Sequence, residues 1–261
     1  MRRARALYLA MGGIQETLAR MGPSVEGDEE EENRWQPNGS PNVLEYETGE
    51  VVVVVEEETA KVSLNAVSGD ALKDLLEEAG ADPEEVDRLA DVLADFIDSD
   101  DLTNLDGAEE SDYEAMGLSY GPFNGPLLAI DQLLLVPGFT PELFYGYGQP
   151  AAPFEKEKYE KYRDLPWPGQ DSLFQIGTVY GSNAEFSGDE DEEDDLLGDE
   201  SGAWEEEEEE EEEVPWAPNG IYRILACAKC RAGPPPVLLC MIVQYTPNKK
   251  PGYEILFRKI L

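Results

Sequence analysis

The chain of 261 residues contains no histidine. That absence removes the commonest general base, the usual Ser-His and Cys-His nucleophile pairs and the commonest transition-metal ligand. Carboxylate pairs need no histidine, so enzymes are disfavoured as a class and a two-carboxylate hydrolase is the form that survives. Cysteine is nearly as scarce: Cys227, Cys230 and Cys240 are an odd set near the C-terminus. The spacing Cys227-Ala-Lys-Cys230 looks like half a zinc site or a redox pair, yet no second pair or histidine completes a tetrahedron. These three read as ordinary strand residues, with a disulfide as the alternative. No apolar run of about 18 residues occurs, so nothing in the chain as given spans a membrane. The opening "MRRARALYLAMGG" is charged but lacks an apolar core and a cleavage site, so either the protein is cytosolic or a targeting portion precedes it.

Basic residues are the last shortage. Lys and Arg number 19 against 58 Asp and Glu, a formal charge of −39. Asp189 to Glu213 holds 18 of the acids, and the remainder is still strongly acidic. Phosphate backbones and anionic lipids would be repelled, so cations and basic protein surfaces are the natural partners.

What is present divides the chain. Leu7, Met11, Ile14 and Leu18 fall along one helical face, which predicts an N-terminal helix over 1–22 weakened by Gly12 and Gly13. Residues 23–42 read as an exposed linker. From Val43 the pattern becomes strand: "VLEYE", a Thr48-Gly49 turn and "EVVVVVEEE" make a hairpin, and Val51 to Val55 suggest a strand covered on both faces. "KVSLN" completes this first part of a sheet, 43–66. A helical block, 67–147, follows. Ser68 caps a helix that Gly80 stops, and Asp82-Pro83 opens another whose stripe is Val86, Leu89, Val92, Leu93, Phe96 and Ile97. Two short helices, "NGPLLAIDQLLLVPG" and "TPELFYG", end the block. Residues 148–180 form a return segment in which "LFQIGTVY" reads as a strand. The acidic stretch 181–219 reads as a disordered insert. Three strands over 220–261 close the chain. The order implies an α+β fold with a helical block inserted in a sheet.

The chemistry concentrates in "DFIDSDDLTNLDGAEESDYEAMG", residues 95–117, where acids and amides are threaded with apolar side chains. Calcium takes roughly six to eight oxygen ligands in irregular geometry, and such a loop supplies them. Asp98-x-Asp100 and Asn104-x-Asp106-Gly107 turn alternate side chains towards one point. Leu102 and Tyr113 occupy positions where an EF-hand needs acids, so that motif is absent. The alternative is a solvated loop that caps a helix from Glu109 onward. A second motif, "LLLVPGFTPELF", has the form of a helix-hairpin-helix, a module that holds DNA backbone. Residues 82–147 contain one basic residue, Arg88, so the hairpin reads as a packing unit instead.

Taken together, "RALYLAMGGIQETL", "EEETAKVSLN", the acidic segment, "GPFNGPLLAIDQLLLVPGFTPELF" and "YEILFRKIL" resemble the type II secretion minor pseudopilin K family. The five occur in the family's order and cover about 4–147 and 221–261. The resemblance implies a pilin-like helix on an antiparallel sheet, with a large inserted helical domain. It implies a non-enzymatic subunit at the pseudopilus tip, in the periplasm, that starts filament assembly with minor pseudopilins of types I, J and H and binds no nucleic acid. It also implies calcium in the inserted domain, with Asp98, Asp100, Asp101, Asn104, Asp106 and Glu109 as ligands at matching positions. Leu7, Met11, Ile14 and Leu18 are then expected to pack against partner helices. The family begins with a basic leader and an apolar helix of about 20 residues that anchors it in the inner membrane. Here the sequence starts after that helix. It also has Thr59-Ala60 where glycine is usual, and an acidic insert with no family counterpart.

Overall fold

A computed structural model describes residues 2–21, 35–146, 162, 165–184, 216–233 and 235–261. Much of the linker 23–42, of the return segment and of the acidic insert therefore lies outside the described residues.

β2 (Gly49–Glu57) organises the molecule. Its valines are β-branched and suit extended backbone. Alternation sends Val52 and Val54 to one face and Val51, Val53 and Val55 to the other, and all five are fully buried. Each stabilises the fold by roughly 1.5–3 kcal/mol relative to exposure. β2 is flanked by β1 (Asn42–Tyr46) and β5 (Ile221–Cys230), both antiparallel to it. β6 (Val237–Tyr245) and β7 (Tyr253–Ile260) complete a five-stranded sheet in the order β1-β2-β5-β6-β7. The C-terminal meander is as the turn signals predict.

One face of the sheet carries α1 (Arg2–Arg20). The residues it buries deepest are Ala6, Ala10, Ile14 and Thr17. Among the four expected to meet partner helices, Ile14 is fully buried on the chain's own sheet, while Leu7, Met11 and Leu18 lie half-buried along its rim. Small side chains explain the rotation of the buried face: the helix sits close enough that a Cβ on Gly13 would come within 2.7 Å of Val51 and 3.0 Å of Val53. Gly13 thus costs intrinsic helicity but permits the contact. Gly13→Val should therefore destabilise the fold by about 1–3 kcal/mol through overpacking, read as a lower midpoint in thermal unfolding, although valine is the better helix former.

The opposite face is covered by the inserted domain. The chain leaves the sheet through β3 (Val62–Ser63) and returns through β4 (Gly177–Thr178), which pair in parallel as a two-strand neck. Between them lie α2 (Gly69–Glu78), α3 (Val86–Ile97), α4 (Glu110–Ala115), a 3-10 helix (Ile130–Leu135), α5 (Pro141–Tyr145) and α6 (Leu173–Ile176). The expected stripe of α3 is the buried one, with Ile97 at its edge. Asp82 forms a turn ahead of α3, its carboxylate accepting the Glu84 amide, so the helix opens at Val86. Thr140 caps α5 by accepting the Leu143 amide.

"LFQIGTVY" differs from its expected strand. Ser172 accepts the Gln175 amide and starts one helical turn at Leu173, leaving only Gly177–Thr178 extended. The turn is held by a buried polar knot. Arg223 of β5 is fully buried, donates to the Phe174 carbonyl and to Gly177 O at 3.2 Å, and pairs with Glu58 at 2.6 Å. Thr178 donates to the same Glu58 oxygen at 2.8 Å. Lys61 bridges Glu56 at 2.7 Å and the Gln175 carbonyl at 2.6 Å. Burial alone would push the Glu56 carboxyl up, but Lys61 beside it brings it below the ordinary carboxylate range. The knot fastens both ends of the insert to the sheet.

Candidate functional site

The acidic segment begins where α3 ends. Asp98 is the C-cap, its amide donating to the Ala94 carbonyl, and the chain then winds back along the helix it has just left. Asp95 sits on the last turn of α3 and is fully buried. Its carboxylate accepts the Asn104 amide at 3.2 Å and the Asn104 side-chain amide at 2.5 Å. Asp91, one turn earlier, accepts the Asp106 amide at 3.0 Å. Gly107 lies so close to Asp95 that any Cβ there would overlap the carboxylate. α3 therefore supplies two carboxylates that shape the loop.

The six expected ligands divide into two groups. Glu109 is buried and Asp98 half-buried, and each presents a buried oxygen, Asp98 Oδ1 and Glu109 Oε1, that accepts no hydrogen bond from the protein. Burial pushes the Glu109 carboxyl up, and Asp95, Asp98, Asp101 and Asp100 push it further. Asp98 is raised by burial and then by Asp100 and Asp95. Asp100, Asp101, Asn104 and Asp106 are exposed. Asp100 accepts the Leu102 amide, Asp101 accepts from Asn124 at 3.4 Å, and Asn104 braces Asp95. Among the described residues no three acids converge closely enough to form a metal cluster.

Asp91, Asp95 and Asn124 are missing from the expected set. Asn124 donates its backbone amide to the Phe96 carbonyl, and its buried Oδ1 also lacks a donor. Asp91 and Asp95 had a signal: with Asp98 they fall four and three apart, on one helical face that points into the loop. Asn124 had none, because its position depends on the fold of residues 118–124. Buried oxygens that accept nothing, inside a group of carboxylates that repel one another, are costly unless a cation neutralises them. Hard oxygens in irregular arrangement fit calcium.

The remaining candidates resolve by packing. Leu133, Val136, Phe139 and Phe144 of the hairpin are buried in the core, and Arg88 is paired with Glu85 at 2.6 Å. A cavity of about 340 Å³ beside that pair is edged by Asp82, Glu85 and Glu142. All three are exposed, and none belongs to the acidic cluster. The cysteines are free and buried. Cys227 faces the inserted domain and Cys230 the α1 side, so the pair cannot join in a redox or zinc motif. Burial pushes the Cys227 and Cys240 thiols up to about 12. Cys230 borders a surface cavity of about 210 Å³. A thiol reagent should therefore label Cys230 first in the native protein, and all three only in denaturant, as counted by mass spectrometry.

Residues 51–147 match the family model of type II secretion system (T2SS), protein K. No curated protein matches the chain. Among solved structures, the GspK-GspI-GspJ complex of the enterotoxigenic Escherichia coli type 2 secretion system contains a chain of the same fold. The TM-score is 0.52 at 14% identity, over 99% of this chain and 96% of that one. The matched segment runs from the central valine strand to the end of α5 and so contains the acidic loop and the helices that frame it. Residues 51–147 are thus similar to the type II secretion system protein K family, and the chain has the fold of the matching chain in that solved complex.

Proposed function

We propose that this chain is the periplasmic part of a minor pseudopilin at the tip of the type II pseudopilus, where it starts filament assembly for the export of folded proteins. Its partners are minor pseudopilins of types I, J and H. The observation that supports this reading is the inserted domain, a helical layer fixed across one face of a pilin-like sheet with α1 on the opposite face; on this reading its bulk keeps another subunit from following. The half-exposed rim of α1, Leu7, Met11 and Leu18, is the surface that meets neighbouring helices. No described helix is long and apolar enough to cross a membrane.

Calcium is the second half of the proposal. Asp98, Glu109 and Asn124 present oxygens without donors, and Asp100, Asp101 and Asp106 supply further carboxylates from the same loop. Bound there, calcium would cancel the mutual repulsion and hold the loop against α3. Co-expression with type I and J minor pseudopilins tests the assembly reading. A stable complex should co-purify with calcium present and weaken in chelator. A chain that stays monomeric with every candidate partner would end it.

A further inference from the structure

The sheet has two open edges, and they differ. β7 is eight residues long and pairs with β6 alone; among the described residues nothing pairs with its outer side. Its hydrogen-bond phase follows from its ends. The Leu261 amide donates to Leu238 and Gly252 accepts from Thr246, so alternate residues on either side of the bulge turn away from β6. Tyr253, Ile255, Arg258 and Ile260 therefore aim their backbone N–H and C=O groups outward. Ile255 and Ile260 are also 48% and 47% exposed. An edge of this length with apolar side chains is a template for another strand unless it is blunted.

Charge says which strand. Residues 220–261 hold seven Lys and Arg and a single acid, Glu254, in a chain that is otherwise overwhelmingly acidic. Lys249, Lys250 and Arg258 are exposed along the turn and edge, while Lys259 is held by Asp131 at 2.9 Å. Two copies of β7 pairing with each other would bring these bases face to face, which is unfavourable. We infer that the outer edge of β7 is a strand-addition site that takes an acidic β-strand from a different pseudopilin, main-chain bonds supplying affinity and the bases supplying selection. The inference rests on the co-assembly reading above and goes beyond it by naming the surface.

The test is hydrogen exchange on the full chain, alone and co-purified with type I and J minor pseudopilins. Amides of 253–261 should slow by about tenfold in the complex, beyond any change in β1. Arg258→Pro removes an outward donor without touching the β6 ladder and should weaken the complex by about tenfold. Arg258→Glu, which leaves the backbone intact, should weaken it as well and covers the case where the proline variant misfolds. A complex that forms with unchanged exchange at 253–261 overturns the inference and leaves the co-assembly reading standing. Failure of any complex to form removes both. Protection of β7 in the concentrated free chain, together with growth in particle size, would show that a second copy occupies the edge and would also overturn it.

Discussion

Truncating Arg223 to alanine is expected to destabilise the fold by about 3–5 kcal/mol. The reason is what stays behind. Glu58 is as buried as Arg223, and its second oxygen already lacks a donor. Removing the guanidinium leaves a carboxylate with only the Thr178 hydroxyl for support, and frees the Phe174 and Gly177 carbonyls as well. The Phe174 ring loses the cation stacked 4.6 Å from its centre. Glu58→Leu alone should be comparably damaging. The double substitution Arg223→Met with Glu58→Leu should recover much of the loss, because an apolar pair of similar volume escapes the desolvation that the ion pair has to offset. Chemical denaturation of the four proteins forms the cycle. Single variants that each cost under about 1 kcal/mol would mean the knot does not fasten the insert.

Calcium should move stability nearly as far. A ligand that binds only the folded chain stabilises it by about 4 kcal/mol when present at about a thousand times its dissociation constant. Thermal unfolding in calcium should therefore lie well above unfolding in chelator, and magnesium should substitute poorly, because it demands tighter octahedral geometry. The double substitution Asp98→Asn with Glu109→Gln separates the two contributions. It should abolish the calcium response, yet raise the midpoint in chelator, since it removes charges that burial and their neighbours disfavour. A wild-type midpoint indifferent to calcium would sink the metal reading, and with it the account of why three buried oxygens have no donor.

Much of the architecture was legible because it rests on periodicity. The valine run of β2, the stripe of α3 and the three closing strands all obey simple alternation, and burial follows it. The acidic segment was legible as a place, since no other stretch mixes oxygens with leucines so densely. Its members were legible in part: Asp98 and Glu109 stand in the segment itself and Asp95 lies one helical turn before Asp98, whereas Asn124 reaches the loop through a backbone contact with Phe96 that has no local signature. The face of α1 that packs on the sheet was hidden for a related reason. Larger side chains marked its stripe, but the face that packs is the one whose small residues allow close approach, a property of the partner surface. Arg223 carried a signal that periodicity alone does not weigh: one charge inside "IYRILACA", in a strand otherwise fit for burial, needed a partner, and Glu58 supplied it from 165 residues away.

The parallel neck has a consequence for how such a protein could be dismantled. Val62 lies beside Gly177, and Ser63 beside Thr178, so the two ends of the helical layer are about one strand spacing, roughly 4.8 Å, apart. Geometrically the layer is a cassette: the neck gathers both of its ends at one place, and the order of the five-stranded sheet does not depend on it. Energetically it is no such thing, because excision would strip the wall from Val52, Val54, Leu225, Cys227, Leu238 and Ile242 and hand water a flat apolar plate. A miniature lacking the layer should keep its topology on paper and stick to itself in solution, unless polar residues were written onto every second position of that plate.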